Sequence, residues 1–210
     1  MNFKLIIFDF DGTLADSFPY FLRTMNALAT TYNFPVIQPQ DVDQLRGLDA
    51  RQMIKRARLP AWKIPLIVSS FIRRMGQDID QIHLFDGVPQ LLSQLAGQGV
   101  KLAIVSSNSE ENIRRVLGPV NASLISHYGC GSSLFSKQRK FKRAMEKMGA
   151  SRQETLCVGD EVRDIEAARE ATVAFGAVTW GYTRPDALAA YPGISLFHTP
   201  ADIARTVLEP

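Results

Sequence analysis

An apolar run, Leu5-Ile6-Ile7-Phe8, ends in two carboxylates one residue apart, Asp9 and Asp11, and then in Gly12. A short run of large apolar residues closed by a turn signal reads as a fully buried strand of a parallel sheet. Asp9 and Asp11 share a side only if the strand runs on through both, and the loop opened by Gly12 keeps them near water at the strand's carboxyl end. Two anions so close repel and raise each other's pKa unless a cation sits between them, which implies a bound metal or a shared proton. A hard divalent ion with oxygen ligands, magnesium above all, suits such a pair.

Beyond this strand the pattern turns helical. Helices are predicted from Phe18 to about Tyr32, from Asp49 to Ala57 and from Ala61 to Met75, with Pro35, Pro39, Gly47 and Pro60 between them and no convincing buried strand before His83. A βα rhythm then sets in. Helix is predicted over Val88–Ala96, strand over Lys101–Val105, helix over Glu110–Leu117, and a weaker strand near Leu124–Tyr128. Helix Gln138–Met148, strand Thr155–Val158, helix Val162–Glu170, strand Val173–Val178 and a short strand Ile194–Phe197 complete it. Alternation of this kind predicts an α/β fold, a Rossmann-like and mostly parallel sheet that the first strand joins, so the helical block is an insert. The expected domains are an α/β core, residues 1–16 and 84–210, and a helical cap, residues 17–83.

Composition narrows the function classes. With 46% hydrophobic residues the 210-residue chain can bury a core, and 24 Lys plus Arg against 21 Asp plus Glu is only mildly basic. The densest basic stretch, Lys137 to Arg143, reads first as a solvated helix face, so no nucleic-acid partner is expected. Cys130 and Cys157 have neither the spacing nor the histidine neighbours of a zinc site, and a reducing cytoplasm is the expected location. Apolar runs are too short for a membrane span, and Asp9 and Asp11 interrupt any signal-like core, so no membrane partner is expected.

Two further strand ends carry polar clusters. Lys101–Val105 runs into Ser106-Ser107-Asn108-Ser109, where hydroxyls, an amide and the start of a helix can cradle an anion, or where Ser109 simply caps the helix. Leu156-Cys157-Val158 runs into Gly159-Asp160-Glu161-Val162-Arg163-Asp164, two aspartates four apart that face the same way on a helix or its entry turn. Asp160 could alternatively be only a cap, and Asp164 only the partner of a basic residue.

The string Asp9-Phe10-Asp11-Gly12-Thr13-Leu14-Ala15-Asp16-Ser17, with Gly159-Asp160 and Asp164, resembles the first and fourth motifs of the haloacid dehalogenase superfamily, mostly magnesium-dependent phosphatases. The resemblance implies that Asp9 is the nucleophile that forms an aspartyl-phosphate and that Asp11 is the acid and base. It implies Mg²⁺ held by Asp9, the Asp11 backbone carbonyl and Asp160, with Asp164 behind these ligands or reaching the ion through water, and Glu161 as an additional acid close enough to substitute. It makes Ser106 the group that holds the phosphoryl oxygens, helped by Ser107 and Asn108. It also asks for a lysine before the last motif strand; Lys137, following Ser132 to Ser136, is chosen, and Lys140 competes. Within the family, Gln44 to Ala50 is similar to the specificity loop of phosphoglycolate phosphatases, which would set Arg46 and Gly47 against a second anionic group of the substrate; otherwise Gly47 ends one helix and Asp49 caps the next. The implied partner is a small phosphorylated metabolite, with the oligomeric state open. A phosphomutase acting on sugar phosphates and a noncatalytic binding protein are the alternatives. Dehalogenases of the family lack an acid at the position of Asp11, and nothing around Lys55 or Lys63 marks the reactive lysine of a phosphonate-cleaving relative.

Overall fold

The computed structural model describes residues 3–48, 50–131 and 137–209. Asp49, the expected cap, and Ser132 to Ser136 lie outside the described residues. Six parallel strands form one sheet: β1 (Leu5–Phe8), β2 (Lys101–Val105), β3 (Ile125–Gly129), β4 (Thr155–Gly159), β5 (Ala174–Val178) and β6 (Ser195–Phe197), in the order β3-β2-β1-β4-β5-β6. The chain steps outward from β1 first to one side and then to the other. The crevice where the order reverses therefore opens beyond the carboxyl ends of β1, β2 and β4, where open α/β sheets bind their ligands.

Alternation along the strands builds a core on each face. Ile6, Phe8, Leu102, Ile104, Leu156 and Val158 point to the face covered by α5 (Val88–Gly97), α6 (Glu110–Leu124) and α10 (Pro200–Leu208). Leu5, Ile7, Ala103, Val105 and Cys157 point to the other, against α7 (Lys137–Met148) and α8 (Val162–Ala171). All four β1 side chains are completely buried, each worth roughly 1.5–3 kcal/mol of transfer free energy.

Between β1 and α5 the described chain is helical: α1 (Phe18–Tyr32), the short α2 (Val42–Leu45), α3 (Ala50–Arg56) and α4 (Ile64–Gln77), with 3₁₀ turns between them. Pro19 in α1, Pro65 in α4 and Pro89 in α5 each sit in a first turn, where the missing N–H costs nothing. Helix α1 ends on Asn33 in the left-handed conformation.

Three features differ from the sequence expectation. Helix α6 does not stop at Leu117; it kinks at Gly118-Pro119, which leaves helical geometry, and resumes to Leu124. The last strand is followed by α10, which opens on a capping box between Thr199 and Asp202 and buries Ile203, Ala204 and Val207; α9 (Pro185–Ala189) likewise lies where the sequence analysis predicts no element. The first strand ends at Phe8, so Asp9 and Asp11 do not share a face by strand alternation. The Asp9 N–H still donates to the Val158 carbonyl, 2.8 Å, before the chain turns.

Candidate active site

Sheet order brings the two acidic motifs together. β1 and β4 are neighbours in register, Phe8 beside Val158, so Asp9 and Asp160 leave the sheet side by side. Asp160 is fully buried and held by both oxygens: the Thr13 hydroxyl donates to one at 2.8 Å and the Tyr182 N–H to the other at 2.7 Å. Glycine makes room for it. A Cβ on Gly12, which has φ +78°, would lie 2.3 Å from the Asp160 carboxylate, and one on Gly181 would lie 2.2 Å from its Cβ.

Ligand oxygens of Asp9, Asp160 and Asp164 lie within 4.8 Å of one another, all on buried residues. The Lys137 ammonium sits between two of these acids, 2.8 Å from Asp9 and 2.5 Å from Asp164. Burial raises the Asp9 carboxyl above its usual range against the opposing pull of Lys137. Burial, with repulsion from Glu161, Asp9 and Asp164, raises Asp160 well above it. Burial works against the charge on Lys137, but Asp164 and Asp9 hold that ammonium above its ordinary value. One lysine thus faces a group of buried acids that repel one another, and a hard oxygen donor set of this kind suits a divalent cation such as Mg²⁺. Glu161 pairs with Arg163, and Asp164 Oδ2 accepts the Glu161 N–H at 3.3 Å, so this acid also closes the entry turn of α8.

Lys140 is placed differently. Its ammonium donates to the carbonyls of Ser106 at 3.1 Å and Gly131 at 2.7 Å, which ties the end of β2 to the segment after β3.

Asp11 stands apart from the three-acid group. Asn108 donates its amide to Oδ2 at 3.0 Å, while Oδ1 is buried and has no hydrogen-bond partner among the described residues. Burial and the nearby Asp9 charge push this carboxyl up to about 6. An acid that keeps its proton until near neutrality beside a carboxylate is the arrangement that separates acid from nucleophile. Ser106 Oγ accepts the Asn108 N–H at 3.1 Å, and Ser107 lines the cavity that opens from this rim. Ser109 caps α6, accepting the Asn112 N–H at 3.2 Å.

Arg46 reaches the site from the inserted helices. Its guanidinium donates to the carbonyls of Tyr182 at 3.1 Å and Gly181 at 2.8 Å and lies over the Phe18 ring. Gly47 closes the turn after α2, its N–H on the Gln44 carbonyl, and packs toward the Arg184 guanidinium. Lys63 donates to the Tyr32 carbonyl. Sequence reading passed over the segment after β5. Trp180 donates to the Thr13 carbonyl at 3.1 Å, and the Tyr182 hydroxyl meets Ser17 at 3.0 Å while its ring packs on Phe18 and Phe21. The available signal was position: Trp180-Gly181-Tyr182 follows β5, the strand next to β4, at the same rim as the acids. The cysteines stay outside the chemistry; both are free, and burial pushes the Cys130 thiol up to about 12.

Residues 6–178 match the family described as haloacid dehalogenase-like hydrolase. The chain belongs to that family. Among the curated haloacid dehalogenase-like relatives, a phosphoglycolate phosphatase of Synechococcus elongatus is 36% identical over 98% of each chain. The N-acetylmuramic acid 6-phosphate phosphatase of Pseudomonas aeruginosa is 26% identical over 92% of this chain and 89% of its own. A solved Lactobacillus plantarum structure, named as a candidate phosphoglycolate phosphatase, superposes with a TM-score of 0.83 at 25% identity, covering 98% of this chain and 99% of that one. CbbY of Rhodobacter sphaeroides, solved in complex with phosphate, has a TM-score of 0.75 at 19% identity over 99% and 100% of the chains and so shares the fold.

Proposed function

We propose that this chain is a magnesium-dependent phosphomonoesterase that hydrolyses a small phosphorylated metabolite through an aspartyl-phosphate on Asp9. One observation carries the reading: Asp9, Asp160 and Asp164 converge at the sheet rim, Lys137 bridges Asp9 and Asp164, and Asp11, apart from that group but near Asp9, has one oxygen without a partner among the described residues. In the first step an Asp9 oxygen attacks phosphorus, the bond to the leaving oxygen breaks, and Asp11 gives its proton to the departing alkoxide. In the second, Asp11 takes a proton from water, whose oxygen attacks the same phosphorus and frees inorganic phosphate and Asp9. Ser106, Ser107, Asn108 and Lys137 are the groups that hold the phosphoryl oxygens, and positioning with electrostatics supplies most of the rate.

Asp9, Asp160 and the Asp11 carbonyl would hold the cation, with Asp164 behind them or through water. When bound, the metal neutralises charge between the nucleophile and the phosphate dianion. Residues 17–83 act as the cap over a core of residues 1–16 and 84–210, and the enzyme works in the cytoplasm. Phosphoglycolate, named for the Synechococcus relative, is the first metabolite to assay.

The test is release of inorganic phosphate from p-nitrophenyl phosphate and 2-phosphoglycolate with magnesium and with chelator, followed by acid quench and peptide mass spectrometry. Phosphate release that needs magnesium, with label on Asp9, is the expected result. Chelator-insensitive release, or label on another residue, would overturn the mechanism.

A further inference from the structure

The inserted helices and the sheet rim border a partly open cavity of about 420 Å³, within the size range of small-molecule sites. One end is catalytic, with Asp11, Ser107 and Asn108 on its wall. The remainder is lined mainly by hydrocarbon and aromatic rings, among them Phe21 and Leu22 of α1, Ile54 of α3, and Ile64 and Val68 of α4. These five side chains are only half-buried, so they face the cavity instead of closing on one another. At roughly 30 Å³ per molecule the space would hold on the order of a dozen waters, most of them against walls that offer few hydrogen bonds.

Two of the three arginines on the wall are engaged by hydrogen bonds, and the third, Arg163, lies against Glu161 with its Nε buried and without a hydrogen-bond partner among the described residues. Arg56 donates to Asp41 and Gln44, Arg163 pairs with Glu161, and Arg46 is tied to the Gly181 and Tyr182 carbonyls and stacked on Phe18. A leaving group with its own carboxylate, such as glycolate, would bring a charge into a mainly apolar chamber, at a desolvation cost. A hydrocarbon leaving group would cover the half-buried walls, at a gain of about 25 cal/mol per Å² of apolar surface.

Resting on the phosphatase reading above, we infer that the substrate is a phosphomonoester whose alcohol carries an apolar body, alkyl or aryl, seated in the cavity between α1, α3 and α4. The phosphoryl group lies at the rim, and the alkoxide oxygen departs beside the unpartnered Asp11 Oδ1.

The test is a series of n-alkyl phosphates from methyl to octyl, with 2-phosphoglycolate and p-nitrophenyl phosphate alongside, all with magnesium. From methyl to about hexyl, kcat/KM should climb roughly three- to fourfold per methylene and pass the value for 2-phosphoglycolate. Hexan-1-ol, which carries no phosphate, should inhibit p-nitrophenyl phosphate hydrolysis competitively. Substituting Ala57→Phe, which narrows the cavity wall, should lower the hexyl-to-methyl ratio at least tenfold. A flat or falling series with phosphate still released from methyl phosphate and 2-phosphoglycolate overturns this inference and leaves the phosphatase reading standing. No phosphate from any substrate, p-nitrophenyl phosphate included, overturns both. The wild-type series decides the matter even where the Ala57→Phe protein fails to fold.

Discussion

The sheet and the inserted helices use the same kinds of apolar residue for different ends. In β1 and β2, Leu5, Ile6, Ile7, Phe8, Leu102 and Ile104 are at 0% exposure, each pressed between sheet and helix. In α1 and α4, Phe21, Leu22, Ile64 and Val68 keep part of their surface open toward a cavity. The first arrangement fixes Asp9 and Asp160 in position, because a close-packed interior transmits little slack. The second leaves room for something to bind. Several contacts join the two regions, among them Asn112 on the Ile72 carbonyl and Arg115 on the Gly76 carbonyl, and one set of them reaches the acids. Arg46 holds the carbonyls of Gly181 and Tyr182, while the Tyr182 N–H holds Asp160 and its hydroxyl meets Ser17. The buried acids on the sheet and the helices above them therefore share one loop.

That contrast can be broken in several places. The largest effect belongs to the rigid half: Asp9→Asn should abolish p-nitrophenyl phosphate turnover, a loss of roughly ten-thousandfold or more, with a thermal midpoint no lower than wild type because it removes a buried charge. Near-normal turnover would displace Asp9 as nucleophile. Lys137→Ala comes next, at roughly a thousandfold in kcat, since it leaves Asp9 and Asp164 without their shared cation. Lys140→Ala, which removes only bonds to carbonyls, should cost about tenfold or less. Steady-state kinetics in the reverse order would exchange the two roles.

Packing should follow the same division. Ile104→Ala in β2 should destabilise by about 2–5 kcal/mol in urea melts, whereas Val68→Ala in α4 should cost about 1 kcal/mol or less, because it enlarges a space that is already open. Equal losses would mean that the helices are packed as the sheet is. The smallest effect expected is at the bridge. Arg46→Ala should lower kcat about fivefold to tenfold and raise the magnesium concentration needed for half-maximal activity, through the loop that holds Asp160. A rise in KM alone would instead make Arg46 a direct substrate contact.

Much of this was legible along the chain. Residues that act through local pattern read directly: the buried run before Asp9, the proline and glycine punctuation of the helices, and the strands Lys101–Val105 and Thr155–Gly159. The acid pairs also declared themselves, since each sits where an apolar strand meets a glycine turn. Lys137 and Lys140 could not be separated in sequence, because both lie on the same basic helix and only its packing on the sheet decides which ammonium reaches the carboxylates. Tyr182 and Trp180 went unread because their roles come from β5 lying beside β4, a neighbour relation with no local signal. Helix α10 was missed although Thr199 and Asp202 spelled its capping box, since the preceding strand is only three residues long.

Sequence alone determined the parallel α/β plan, the inserted helices and which carboxylates stand at strand ends, because hydrophobic periodicity and turn chemistry act between residues close in the chain. Tertiary structure alone decided that Asp160 is gripped by Thr13 and Tyr182, that Lys137 rather than Lys140 stands among the acids, and that the helices leave an apolar chamber above them. Those outcomes depend on side chains separated by 22 to 147 residues meeting at one rim, and strand order, not any local preference, sets which of them meet.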